Sequence, residues 1–173
     1  MKKGFTLIEL LVVISIIGLL SSITLATLNA ARMKARNAVT IQTIQQYKNA
    51  FALAYSDNGE YPDPGSGTFC LGAATFSGNR CWDEFSGGVP VSPTLNTILL
   101  RYMPSLPAPS IKKYSLFGST YSGGTYTCTY DSTGQLCKSV LIIWILEGGA
   151  QKCGNAETTL DLGTATWCQK TIE

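Results

Sequence analysis

The chain has 173 residues, 45% of them hydrophobic and only 14% charged, with 13 Lys and Arg against 11 Asp and Glu. That length suits one domain with an appendage, the apolar content excludes a disordered chain, and the small basic excess argues against an electrostatic nucleic-acid binder. The absence of any histidine excludes His-based catalytic triads, His metal sites and His pH switches.

The chain opens Met1-Lys2-Lys3-Gly4 and then turns apolar. From Phe5 to Leu28, 16 of 24 residues are apolar, and Glu9 is the only charge between Lys3 and Arg32. At ~1.5 Å per residue, a helix over residues 5–28 would be ~36 Å long and could cross a ~30 Å hydrocarbon core. A secretory signal peptide is the competing reading, with Thr24-Leu25-Ala26 as its cleavage site. Such signals have a shorter apolar core, about 7–15 residues, and no use for a carboxylate near its start. An acid inside a membrane is costly, so Glu9 asks for a partner.

The run Lys2-Lys3-Gly4-Phe5-Thr6-Leu7-Ile8-Glu9, continuing through Leu10-Leu11-Val12-Val13-Ile14, resembles the leader and mature start of type IV pilins and type II secretion pseudopilins. The resemblance implies cleavage after Gly4 by a prepilin peptidase on the cytoplasmic side, leaving residues 1–4 as a leader. It implies methylation of the new amino terminus at Phe5. It also implies that Glu9 pairs with the Phe5 amine of the adjacent subunit and so sets register in a helical filament. The implied partners are copies of the same chain, the peptidase, an inner-membrane assembly platform and, before assembly, the lipid bilayer. Removing residues 1–4 deletes Lys2 and Lys3, which takes 13 basic residues to 11 against 11 acidic ones. Many members of this family carry a proline in the membrane segment; here the corresponding stretch reads Ser21-Ser22-Ile23-Thr24-Leu25-Ala26.

Cations on both sides of the apolar segment (Lys2 and Lys3 before it, Arg32, Lys34 and Arg36 after it) leave orientation open by the positive-inside rule. The cysteines decide it. Cys70, Cys81, Cys128, Cys137, Cys153 and Cys168 all follow the segment. Their spacing lacks any C-x-x-C and there is no histidine to complete a zinc site, so they read as disulfides in an oxidising compartment. Six cysteines allow 15 pairings, and sequence proximity favours Cys70–Cys81, Cys128–Cys137 and Cys153–Cys168. Cys128 and Cys137 are expected to face each other across a hairpin turning at Asp131-Ser132-Thr133-Gly134.

Ala38, Ile41, Ile44, Tyr47, Phe51 and Ala54 recur at spacings of three and four, which predicts an amphipathic continuation over 29–55. One helix over about 5–55, ~75 Å long, follows. Ser56-Asp57-Asn58-Gly59 supplies its stop, and Tyr55-Ser56-Asp57-Asn58-Gly59-Glu60-Tyr61-Pro62 resembles the helix-end signature of pseudopilins and many related pilins. Residues 56–173 are then the extracytoplasmic domain. Residues 63–92, rich in Gly, Ser, Thr and Pro, read as a loop. Ser92-Pro93 predicts the start of a short helix running to about Tyr102, with Leu95, Ile98, Leu99 and Tyr102 on one face; Pro104, Pro107 and Pro109 stop it. Strands are expected over 114–117, 120–130 and 136–146, with residues 140–146 central and buried against the long helix. The tail after Gly149 reads as a loop with a short strand near Trp167. The fold class is α+β: a long N-terminal helix packed on a small antiparallel sheet domain with disulfide-clipped loops.

Catalytic chemistry has no constellation to carry it, since serines and threonines lack a histidine base. Asp57, Glu60 and Asp63 are near enough in sequence to offer oxygen ligands to a hard cation. Major pseudopilins, which the chain resembles, often hold calcium near their C-terminal end; by region the candidates are Asp131, Glu157 and Asp161. No other cofactor is implied. Arg32, Lys34 and Arg36 suit lipid headgroups or an acidic neighbour, and three cations are a weak footprint for DNA. The reading is a non-enzymatic structural subunit of a type IV filament. A secretion pseudopilin and a minor tip pilin acting as an adhesin are the alternatives.

Overall fold

The uninterrupted helical pattern, free of proline from residue 5 to residue 61, produces one helix, α1 (Leu7–Asn58). A computed structural model describes residues 4–72, 76, 78–83, 88–109, 113–116, 119–134 and 136–173. Lys2, Lys3 and Phe117, which figure in the expectations above, lie outside these. The helix starts two residues later and ends three residues later than expected. Its stop is Gly59, whose φ of 74° is the left-handed conformation that closes a helix and whose N–H donates to Tyr55 O at 2.8 Å.

The chain divides into two compact units, Met1–Ala35 and Arg36–Glu173. In the first, the apolar side chains of α1 are exposed, among them Leu7, Leu10, Ile14, Ile17 and Leu20. In the second, the remaining turns of α1 bury Asn37, Thr40, Thr43, Ile44, Tyr47, Ala50, Phe51 and Ala54. This face differs from the expected one at its start. Ala38 is exposed and Asn37 is buried, because the Asn37 carboxamide finds backbone partners at Glu147, and a buried polar group with its hydrogen bonds made carries no penalty.

Among the described residues nine strands follow: β1 (Thr68–Leu71), β2 (Arg80–Asp83), β3 (Val89–Pro90), β4 (Tyr114–Leu116), β5 (Ser119–Tyr121), β6 (Gly124–Tyr130), β7 (Cys137–Glu147), β8 (Thr158–Asp161) and β9 (Ala165–Ile172). They form a five-stranded antiparallel sheet ordered β1-β6-β7-β9-β8 and a four-stranded one ordered β3-β2-β5-β4. As expected, β7 is central. Alternation of side chains along it sends Val140, Ile142, Trp144 and Leu146 into one core with Ile44, Tyr47 and Phe51 of α1. Ile143 and Ile145 point the other way, into a second core with Trp82, Tyr114 and Tyr121. At ~1.5–3 kcal/mol for each large apolar side chain removed from water, this double burial explains the unbroken apolar run from 140 to 146.

Four expectations need correction. Residues 63–92 are not a structureless loop, since β1, β2 and β3 lie there and β1 pairs with β6. The single strand expected over 120–130 is two strands, one in each sheet, separated at Ser122-Gly123 where Gly123 takes φ 76°. The tail is more regular than expected: the strand expected near Trp167 is present as β9, which pairs along eight residues with β7 and carries β8 on its outer side. β1 and β9 pair with strands outside their own sequence window, β6 and β7, so local composition did not reveal those pairings. The second helix, α2 (Pro93–Leu99), is shorter than expected; Ser92 caps it, accepting from the Leu95 N–H at 3.2 Å, and Leu95 and Leu99 are buried. Its continuation to Met103 is a turn, with Tyr102 and Met103 N–H both donating to Leu99 O.

The three disulfides are Cys70–Cys81, Cys128–Cys137 and Cys153–Cys168. Cys128 lies opposite Val140 and Cys137 opposite Tyr130, with a register shift at Thr129/Tyr130 between them. The two cysteines are therefore diagonal neighbours across the hairpin rather than a facing pair, at a Cα–Cα distance of 5.7 Å.

The chain leaving α1 is tied to β6 and β7. Tyr61 N–H donates to Cys137 O at 3.0 Å, the Tyr126 hydroxyl donates to Pro62 O, and the Tyr130 hydroxyl donates to Asp63 Oδ1 at 2.7 Å. Further on, Gly72 passes so close to the 106–107 segment that an added Cβ would sit 2.6 Å from Pro107 O and 2.8 Å from the Tyr47 hydroxyl.

Gly72→Ala should destabilise the fold by ~2–4 kcal/mol, combining left-handed backbone strain with overpacking. Gly134→Ala, at φ 71° with nothing within 4 Å, should cost only ~1 kcal/mol. Denaturant titration of both variants checks the difference. A second expectation concerns alkali. The Tyr130 phenol is pushed up to about 12 by its hydrogen bond to Asp63, aided by desolvation and by the Asp63 charge. Its folded value exceeds the ordinary 10, so its stabilising contribution is complete below pH 10 and is lost as pH rises through about 12. The stability difference between wild type and Tyr130→Phe should shrink across that window, and a constant difference would show that the Tyr130–Asp63 bond contributes nothing.

Candidate processing and assembly site

The residues singled out at the amino-terminal end converge on the first turn of α1. Gly4, Phe5 and Thr6 precede the helix, and Phe5 is 77% exposed. Gly4 has no conformational or steric need to be glycine: its φ is not left-handed and an added Cβ would meet nothing within 4 Å. Any demand for glycine there comes from outside the folded chain.

Thr6 is the residue the sequence reading missed. Its hydroxyl accepts from Glu9 N–H at 3.3 Å and donates to Glu9 Oε2 at 2.7 Å; the same carboxylate oxygen accepts from Thr6 N–H at 2.8 Å. This reciprocal arrangement is a capping box, and its signature, Thr-x-x-Glu, was legible in residues 6–9. Two amide groups that would otherwise lack helical partners are satisfied. Glu9 therefore has a local role besides any intermolecular one, and the carboxylate is held at the helix start by one oxygen.

The segment that follows meets the requirements of a hydrocarbon environment. α1 is long and apolar enough to cross a membrane, with none of its most apolar stretch buried within the chain. Its hydroxyls bond back onto the helix: Ser15 to Leu11 O, Ser21 to Ile17 O, Ser22 to Leu19 O, Thr24 to Ser21 O and Thr27 to Thr24 O. In lipid, where no water can satisfy them, each hydroxyl donor has thus found an internal acceptor. The stretch over 21–26, where proline is absent, is helical throughout.

The acidic residues considered as cation ligands are dispersed. Asp63 Oδ1 also accepts from Gly65 N–H at 2.8 Å. Asp131 Oδ1 accepts from the Thr133 N–H and hydroxyl at 3.0 and 2.6 Å, and Asp161 Oδ1 from Gly163 N–H at 2.8 Å. These are side chains closing their own turns. Glu157 pairs with Lys170 and accepts from Thr171 N–H, which holds its carboxyl below the ordinary range. Among the described residues, no three acids, cysteines or histidines are grouped as a metal site would need. Of the basic triplet, Arg36 is paired with Glu147 at 2.7 Å.

Comparison with known proteins bears on the same end of the chain. Residues 1–25 match the family model described as the prokaryotic N-terminal methylation motif. The type II secretion system core protein G of Escherichia coli K12 is 36% identical over 66 residues, which is 38% of this chain and 46% of that protein. The fimbrial protein of Neisseria meningitidis serogroup B is 36% identical over 62 residues, 36% of each chain. The chain thus spans less than half the length of these relatives, and no solved structure matches it. The amino-terminal third of the chain thus carries a prokaryotic N-terminal methylation motif and is similar to a type II secretion core protein and to a fimbrial protein.

Proposed function

We propose that the protein is the structural subunit of a type IV pilus filament. The observation that carries this is a glutamate, Glu9, whose partner among the described residues is Thr6 of its own capping box, at the head of an apolar helix directly after Gly4-Phe5. A peptidase cuts after Gly4, the Phe5 amine is methylated, and the precursor waits in the cytoplasmic membrane with residues 1–4 inside. Residues 56–173, with their three disulfides, then face an oxidising compartment. On assembly, residues 5–28 leave lipid for a core of identical helices. There the Glu9 carboxylate pairs with the Phe5 amine of the next subunit, because neither charge can be buried alone. The function is mechanical rather than enzymatic, in keeping with the fimbrial relative.

A periplasmic pseudopilus subunit is the second reading. The helix-end run from Tyr55 to Pro62 and the likeness to the secretion protein favour it. Imaging of fibres sheared from cells, with identification of their main protein, separates the two. Abundance of this chain in long surface fibres supports the pilus; its absence from them, with loss of protein secretion on deletion, supports the pseudopilus.

Mass spectrometry of the mature chain should find methylated Phe5 at its start, and a start after Ala26 would restore the signal-peptide reading. Assembly is tested at Glu9. Gln also serves in a capping box, so Glu9→Gln keeps the helix start while removing the charge. It should insert and be processed, yet yield few or no filaments. Glu9→Leu, which loses the cap as well, should fare no better. Filament yield at the wild-type level from Glu9→Gln, read by shearing and electron microscopy, would sink the register role and leave apolar packing as sufficient.

A further inference from the structure

Along α1, the described side chains from residue 7 to residue 36 are all exposed but for the half-buried Met33, and the first buried one is Asn37, 7% exposed. Its carboxamide meets the backbone of Glu147, the last residue of β7, at both ends. Asn37 Nδ2 donates to Glu147 O at 2.9 Å, and Glu147 N–H donates to Asn37 Oδ1 at 2.9 Å. A helix side chain thus makes the pair of bonds that a neighbouring strand would make. Gln151 Oε1 stands 3.4 Å from the same Nδ2 and is held in turn by its own Nε2 bond to Gly149 O. Arg36 adds Nε and Nη2 on Glu147 Oε2, at 2.8 and 2.7 Å. The next buried side chain, Thr40, bonds back to the helix's own Arg36 O. Apolar packing on the sheet begins only at Ile41 and Ile44. Between the exposed turns and that packing, the Asn37–Glu147 pair is the attachment.

We propose that this carboxamide–peptide pair is a stop for helix unwinding. It confines any loss of helix in α1 to residues before Arg36, so that the disulfide-clipped sheets keep their fold when the preceding turns fray or are remodelled. Unwinding through residue 37 must break two bonds to the end of the central strand together, whereas unwinding over residues 29–35, beyond the apolar segment, breaks only helical bonds that water can replace. Once the pair is gone, the next packed side chains on that face of the helix are Thr40, Ile41 and Ile44.

Hydrogen exchange, read residue by residue on the full chain in phospholipid nanodiscs, tests this. In the wild type the amides of residues 30–36 should exchange fast, with a steep rise in protection by Ile41. Asn37→Leu should move that step about two turns onward, speeding exchange at residues 38–43 by about tenfold or more while Phe51 and Ala54 stay protected, as expected for the loss of two part-buried hydrogen bonds. Arg36→Ala, which removes only an exposed ion pair, should leave the step in place. The proposal is overturned by the absence of a step in the wild type, by an unmoved step in Asn37→Leu, or by a uniform rise in exchange that includes Phe51 and β7. Should Asn37→Leu fail to fold, Asn37→Gln, whose extra methylene misplaces the carboxamide, decides: a displaced step supports the stop and an unmoved one overturns it.

Discussion

Residues Ile44, Tyr47 and Phe51 of α1 press on Val140, Ile142 and Trp144 of β7, and the rest of the larger unit is arranged around that contact. A central strand apolar on both faces must be covered twice. The helix covers one face, and the small sheet built from β2 to β5 covers the other through Trp82, Tyr114 and Tyr121. Phe51 reaches Tyr126 on the neighbouring strand, ring centroids 4.8 Å apart. The Tyr126 hydroxyl in turn fixes the chain just past the helix end at Pro62. The disulfides are part of these cores, with all six cysteines buried: Cys128–Cys137 and Cys153–Cys168 in the first, Cys70–Cys81 in the second.

The amino-terminal unit obeys a different constraint, that of a polar group in an apolar medium. Its serines and threonines answer it by bonding to carbonyls of the preceding turn. Glu9 answers it in part through Thr6. A carboxylate held by one oxygen at a helix start is oriented, and its other oxygen is not used in the capping box. Local capping and intermolecular pairing are thus compatible uses of one side chain, and for that reason substitution by leucine alone would confuse them.

Features legible from residues near one another in sequence were read correctly: the long helix, its stop near Gly59, the cap at Ser92, the central strand and the three local disulfides. Each rests on a periodicity or a turn chemistry that a short window contains. The amino-terminal end was legible as a motif, and the Thr-x-x-Glu signature of its capping box stands in residues 6–9.

Strand partners could not be read the same way. Whether such a stretch becomes a strand depends on a neighbour outside its own sequence window, as the edge strand β1 depends on β6 and the interior strand β9 on β7. The division of 120–130 at Gly123 likewise follows from two sheets competing for one segment. Asn37 shows the limit most plainly. By polarity it belongs on the solvent side, with Ala38 inward; the exposed backbone groups at the end of β7, 110 residues away, reverse the choice. Local covalent geometry and solvation favour helix, cap and turn within a few residues, so composition alone fixes them. Pairing and burial are free-energy differences between distant groups, and they take a definite value only once the chain has brought those groups together.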